Sequence, residues 1–162
     1  MKSKLAYLGL FSAVAIIFGY VESLIPFFMG IPGIKLGLAN LAVLFLLQKY
    51  SVKEAALVSV VRILVIGFMF GNLFSILYSL AGAFLSLTVM TLMIKKTDFS
   101  LVGVSVGGGI AHNVGQLIIA MLTVSSLNLI YYAPALLISG VITGIVIGKS
   151  TEEVAKRIPS GA

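Results

Sequence analysis

The sequence predicts an all-α membrane protein: one domain of 162 residues, built as a bundle of six transmembrane helices with a short second helix. Its composition is the first observation, because 60% of the residues are hydrophobic and only 10% charged, against roughly half and a quarter in soluble domains. The mean hydropathy is accordingly high, at +1.18. The other two observations are six apolar runs and a one-sided distribution of basic residues.

The apolar runs cover residues 5–28, 36–47, 52–70, 73–94, 101–124 and 127–147. Five of them reach the length of about 20 residues that a spanning helix needs. The second run has only twelve residues, about 18 Å of helix against a hydrocarbon core of about 30 Å. It follows the segment "GIPGIK", which contains helix breakers. Either this run does not cross, or the segment before it also enters the membrane.

Charge placement favours six crossings. If all six runs cross, nine basic residues fall on one side and Lys35 alone on the other. The nine are Lys2, Lys4, Lys49, Lys53, Lys95, Lys96, Lys149, Lys156 and Arg157. This is the bias of cytoplasmic loops, so the sequence predicts a multi-pass protein of the cell membrane with both termini cytoplasmic.

Charged residues inside the apolar runs are candidates for function. Arg62 lies near the middle of the third run, where an arginine costs roughly 2.5–3.5 kcal/mol on insertion scales. One interpretation is a packing pair with Glu22 or with backbone carbonyls. The other is a binding site, because charges within membrane segments are functional by default.

The fifth run contains a second polar group. His112 and Gln116 lie four residues apart and share a helix face, with Asn113 beside them. Interhelical hydrogen bonding, worth about 0.6 kcal/mol per contact, is the alternative to a binding role. Asn72 opens a polar stripe on the fourth run.

Under the six-span topology the polar residues converge on the outer half of the membrane. The candidate ligand-binding residues are Glu22, Lys35, Asn40, Arg62, Asn72, His112, Asn113 and Gln116. Positive charge outnumbers Glu22 in this set, which favours an anionic or strongly hydrogen-bonding solute.

Small residues at four-residue spacing predict close helix packing. The last run carries Gly140, Gly144 and Gly148, and the fifth carries Gly103 and Gly107; both sets are expected to pack inside the bundle. Gly9 and Ala13 on the first run favour either packing or docking of a membrane partner.

The residues give no support for independent catalysis. Cysteine is absent, Asp98 is the one aspartate, and a phosphate-binding loop of the GxxxxGK[ST] type is missing. A lone histidine offers no metal-ligand set. We therefore expect no enzymatic activity, no cofactor and no metal.

The blocks "IPGIKLGLAN", "VRILVIGFMFGNLFSILYSLAGAFLS" and "GVSVGGGIAHNVGQL" keep the order and spacing of a known family. From Pro26 to Leu117 the chain resembles the Gx transporter family, whose members also carry the name heptaprenyl diphosphate synthase component I. Members resemble the substrate-binding S components of energy-coupling factor (ECF) transporters.

This resemblance implies six helices, a ligand pocket capped by the loop between the first two helices, and small residues of helix 1 facing a transmembrane coupling protein. By position, Lys35 and Asn40 would line the cap and the short helix, and Arg62, Asn72 and His112 the pocket. Gly9 and Ala13 would form the docking face.

The predicted function is that of a substrate-binding subunit of an ECF-like transporter, with a coupling protein and ATPases as partners. The first alternative is a non-catalytic membrane subunit in quinone or prenyl diphosphate metabolism, or in flavin-based extracellular electron transfer; relatives of the family occur with such systems. A module that packs through its glycines and binds nothing is the second alternative. A solitary secondary transporter is disfavoured by the short chain, which shows no inverted repeat.

Overall fold

The computed structural model of the protein describes residues 2–24, 37–96 and 98–158. Within these ranges the chain folds into six α-helices and one short 3₁₀ helix, with no β-strand. The helices are α1 (Lys2–Leu24), α2 (Leu38–Lys49), α3 (Val52–Phe70), α4 (Leu73–Lys96), α5 (Leu101–Val124) and α6 (Ala133–Arg157), and the 3₁₀ helix covers Leu127–Tyr132. The predicted all-α class is confirmed.

The observed helix bounds match the predicted apolar runs for the two helices that begin with a serine cap. α3 and α5 have the predicted bounds, and the side chains of Ser51 and Ser100 accept backbone hydrogen bonds at their starts. α2 lies two residues later than predicted, and α4 continues through Lys96 rather than ending at residue 94. α1 begins at Lys2, and the predicted extension over residues 25–28 lies outside the described residues.

The last helix differs from the prediction of residues 127–147 at both ends. Residues Leu127–Tyr132 form the 3₁₀ helix, and α6 begins at Ala133 with Pro134 in its first turn, where the missing N–H of proline costs nothing. α6 then continues to Arg157. Its final residues are charged helix formers, so the helix outlasts the apolar run that was used to predict it.

The outer surface of the bundle is apolar. Phe68, Phe84 and Leu122 are each more than two-thirds exposed. Among the described residues, four helical segments are long and apolar enough to cross a membrane: Leu5–Leu24, Leu73–Lys96, Leu101–Val124 and Leu127–Arg157. Such exposed side chains fit a lipid environment and not water, so the chain is a multi-pass membrane protein.

The short helix α2 lies at the centre of the bundle. Every residue from Ala42 to Leu47 is buried, as expected of a helix that is apolar on all sides. The core around it includes at least one residue from each of the other five α-helices: Ala15, Ala55, Val58, Met90, Val104 and Ile147. Phe11 of α1 stacks on Phe45 of α2, with ring centroids 4.9 Å apart.

Basic residues collect at one end of the bundle, which we call the basic end. α2 ends there at Lys49, α3 begins there beside Lys53, and α4 ends there at Lys95 and Lys96. The other end of the bundle, where α3 passes into α4 through Gly71 and Asn72, is called the distal end.

Glycines bring α5 and α6 into backbone contact. A Cβ atom added at Gly109 would lie 2.5 Å from the carbonyl oxygen of Gly140, and one added at Gly144 would lie 2.6 Å from the Cα atom of Val106. The predicted packing role of the α6 glycines is therefore confirmed. On α5, however, Gly109 meets α6, whereas the predicted Gly107 packs against Met93 of α4 and Gly103 faces Phe99.

We expect Gly144→Ala to destabilise the protein by about 1–3 kcal/mol, because the added methyl group meets backbone atoms that cannot move aside. Gly9→Ala is the matched control: nothing lies within 4 Å of its added Cβ, so stability should stay equal or rise slightly through helix propensity. Thermal unfolding in a mild detergent measures both. Wild-type stability of the Gly144→Ala protein would contradict the close approach of α5 and α6.

Candidate functional site

The start of α2 is held by a carboxylate from another helix. Gly37 has a φ angle of 73°, in the left-handed region that favours glycine, and supplies no side-chain cap. Instead, Oε1 of Glu22 on α1 accepts a hydrogen bond from the N–H of Gly37 and another, at 3.3 Å, from the N–H of Leu38. A negative charge also suits the positive end of the helix dipole. Glu22 thus ties the start of α2 to the last turn of α1.

Arg62 of α3 lies over the same face of α1. A Cβ added at Gly19 would lie 3.7 Å from the Arg62 Cγ atom, an ordinary van der Waals distance, so the arginine stem packs beside this glycine. Glu22 is one helical turn further along α1, and its charge acts electrostatically on the guanidinium group. The two charges therefore influence each other, but no ion pair between Arg62 and Glu22 is found among the described residues.

The guanidinium group of Arg62 has donors that the described residues do not engage. The Nε atom of Arg62 is buried and has no hydrogen-bond partner within the described part of the chain. A guanidinium group has five N–H donors, and the oxygen that Glu22 directs at α2 is already occupied by two backbone groups. Arg62 therefore retains hydrogen-bonding capacity inside the bundle.

His112 and Gln116 share one face of α5, as their spacing predicted, and this face meets α4. A Cβ added at Gly82 would lie 2.8 Å from Cγ of Gln116 and 3.0 Å from Nε2 of His112, so only glycine leaves room for both side chains. Gln116 is 1% exposed, and neither its Oε1 nor its Nε2 has a hydrogen-bond partner among the residues described. Leaving buried polar atoms unsatisfied costs about 1–3 kcal/mol each, which marks Gln116 as a candidate ligand-binding residue.

Asn113 points to a different neighbour. Its Nδ2 donates a hydrogen bond of 2.6 Å to the carbonyl oxygen of Leu136 in α6, and the side chain is buried. The adjacent position on α5 is rotated by about 100° from His112, which turns Asn113 towards α6. The structure thus gives Asn113 an interhelical contact and separates it from the pair on the α4 side.

Asn72 occupies the N-terminal cap of α4 at the distal end. Its Oδ1 accepts a 2.8 Å hydrogen bond from the N–H of Ser75, while Oγ of Ser75 accepts a 3.0 Å bond from the N–H of Asn72. This reciprocal pair is a capping box. The exposed Asn72 side chain is thereby engaged in starting the helix.

Asn40 lines a small cavity beside the start of α2. The cavity measures about 30 Å³, room for one water molecule, and lies between α2, α4, α5 and α6. Sequence reasoning missed its hydroxyl-bearing lining residues Ser86, Ser105 and Thr143, although each is a hydroxyl within an apolar run. The other predicted cap residue, Lys35, lies outside the described residues, as does the whole segment "GIPGIK".

The predicted docking residues lie on the outside of α1. Gly9 and Ala13 are both exposed, and nothing within 4 Å would meet a side chain at Gly9. The small residues of α1 therefore leave a shallow face on which another helix could pack closely.

The fold and the site together define a helical membrane protein with unsatisfied polar groups inside its bundle. Residues 11–154 match the family described as Heptaprenyl diphosphate synthase component I, and the chain belongs to that family. The same name was reached above from three sequence blocks, so this part of the resemblance is confirmed. Comparisons with curated proteins and with solved structures gave no match.

We expect Glu22→Gln and Arg62→Gln each to destabilise the protein, the first because α2 loses its charged cap and the second because Glu22 loses a neighbouring positive charge. The double variant should lose less than the sum, with a coupling of about 0.5–3 kcal/mol. Unfolding in detergent of the four proteins measures this coupling.

Glu153→Gln is the control for that experiment. Glu153 pairs with Lys156 at 2.7 Å, but both side chains are more than half exposed, so its loss should leave the unfolding temperature nearly unchanged. Strictly additive effects of Glu22→Gln and Arg62→Gln would show that the two charges do not interact.

Proposed function

We propose that the protein is the solute-binding membrane subunit of an ECF-like transporter, and that its solute is small and either anionic or rich in hydrogen-bond acceptors. The observation that carries this proposal is that Nε of Arg62 and both polar atoms of the Gln116 side chain are buried and have no hydrogen-bond partner in the described part of the chain. Polar groups at such depth are costly, and a bound solute would satisfy them.

The proposed topology has six crossings within one domain, with both termini in the cytoplasm and the basic end on the cytoplasmic side. It is supported by the basic residues that collect at one end of the helices. α2 then covers only the cytoplasmic half of the membrane. Its start, capped by Glu22, becomes the floor of a space that opens towards the outer side.

The proposed set of ligand-binding residues is smaller than the set of eight candidates that the sequence predicts. Arg62 supplies charge, while Gln116 and His112 supply hydrogen bonds from the α4 side. Asn40 and Glu22 lie at the floor, and Lys35 belongs to the cap. Asn72 and Asn113 are assigned to capping α4 and to joining α5 with α6, because their side chains are already engaged there.

The proposed partners are a transmembrane coupling protein and ATPases, with α1 as the docking helix. Exposure of Gly9 and Ala13 supports this, since a lipid-facing helix gains little from small residues, whereas a helix interface does. The chain itself is proposed to be non-catalytic.

The second candidate function follows from the family name, which is that of one component of a heptaprenyl diphosphate synthase. In that case the protein would be a non-catalytic membrane subunit of a quinone or prenyl diphosphate pathway. Arg62 would then bind a lipid head group, and a separate prenyl-transferring enzyme would be the partner.

Arg62→Gln should lower the amount of small solute that co-purifies with the protein by at least tenfold, because a charge-assisted hydrogen bond is lost in a site shielded from water. Extraction of the affinity-purified protein, with quantification of the released small molecules by mass spectrometry, measures this. Asn72→Ala is the control: it removes the cap of α4 and some stability but should leave the bound amount unchanged. Equal retention by wild type and Arg62→Gln would overturn the assignment of Arg62.

Gly9→Leu should reduce co-purification of the coupling protein and ATPases severalfold without lowering the unfolding temperature, because the new side chain projects outward from α1. Quantitative proteomics of tagged protein from native membranes measures the partners. Ile142→Phe, which adds bulk on the exposed face of α6, is the control. Recovery of a prenyl-transferring enzyme in place of the ATPases would favour the second candidate function.

A further inference from the structure

A second cavity lies at the basic end, far from the proposed solute site. It is a cleft of about 390 Å³ between the turn that joins α2 to α3 and the last turns of α4. Its lining residues are Leu47, Tyr50, Ser51, Val52, Lys53, Thr91, Ile94 and Lys95. We call it the basic cleft. Its volume falls within the range of ordinary ligand pockets.

The lining of the basic cleft combines two positive charges with an apolar wall. Lys53 and Lys95 come from different helices and meet at this cleft, while Leu47, Val52 and Ile94 supply hydrocarbon. Thr91 adds a hydroxyl group: its Oγ1 is buried and has no hydrogen-bond partner in the described ranges. Such a site can hold an anion and an attached apolar group together.

The lining of this cleft is positively charged. None of the described residues that line it is acidic. Glu54, the nearest acid in sequence, is not a lining residue, but its carboxylate accepts a hydrogen bond from Oγ of Ser51, which is one. Lys53 and Lys95 are exposed, so the lining offers two positive charges and no carboxylate of its own to an anionic group that enters the cleft.

We propose that the basic cleft binds the phosphate group of an anionic phospholipid from the leaflet that faces the basic end. The phosphate lies between Lys53 and Lys95, and the apolar wall takes the glycerol and the upper part of an acyl chain. Basic pockets between membrane helices on the cytoplasmic side recognise anionic head groups in this way. A free phosphate ion would use the lysines but leave the apolar wall without a role. This inference rests on the position of the basic end and not on the solute-binding role.

The test is a lipid titration of the purified protein in a neutral detergent, followed by native mass spectrometry that counts bound lipids. The wild-type protein should bind one phosphatidylglycerol in preference to phosphatidylcholine. Lys53→Gln together with Lys95→Gln should weaken this binding roughly 25-fold, at roughly fivefold for each lysine. Lys96→Gln together with Lys149→Gln removes equal charge from the same end outside the cleft, and should change the affinity less than twofold.

Two results would overturn the proposal. Equal effects of the two double variants would show that phosphatidylglycerol responds to the net charge of the basic end and not to the cleft. Displacement of phosphatidylglycerol by an equimolar amount of inorganic phosphate would show that the occupant is a soluble anion. Lys53 and Lys95 lie outside the proposed solute site, so both double variants should still retain the solute. Failure of the lipid proposal can therefore be told apart from failure of the proposed function.

Discussion

The hydrogen bonds from the start of α2 to Glu22 are the constraint on which the interior of the bundle depends. A helix that begins inside a membrane protein exposes N–H groups that water cannot reach, and leaving them unsatisfied would cost several kcal/mol. Glu22 accepts from the first two of these groups and adds a favourable charge at the helix start. The start of α2 is therefore tied to α1, and the core around α2 includes residues from the other five α-helices.

The carboxylate of Glu22 acts on two neighbours at once. It accepts hydrogen bonds from the start of α2, and its charge also acts on Arg62. The arginine is stabilised by the field of the carboxylate but keeps a buried Nε without a partner in the described part of the chain. On α4, Gly82 leaves room for the polar side chains of His112 and Gln116. At this position close helix packing and buried polar groups depend on each other.

Much of the fold follows from the sequence, because apolar runs and capping residues act locally. The bounds of α3 and α5 were predictable from the apolar runs alone, whereas the charged end of α6 was missed because a helix need not stop where its lipid contact stops. The site was less predictable. His112 and Asn113 are neighbours in sequence but face different helices, and which helix each one meets is decided by packing between distant segments. Glu22 was expected near Arg62, but its bond to the start of α2 joins residues that the sequence does not place together.

The most direct test of the central claim is native mass spectrometry of the wild-type protein, drawn gently from its own membranes. The account predicts a species that carries one small non-lipid molecule per chain, released when the detergent is made denaturing. A protein that emerges with no such molecule, or with only a quinone or a prenyl lipid in its place, would contradict the solute-binding role. In the latter case Arg62 would be a ligand for a lipid head group.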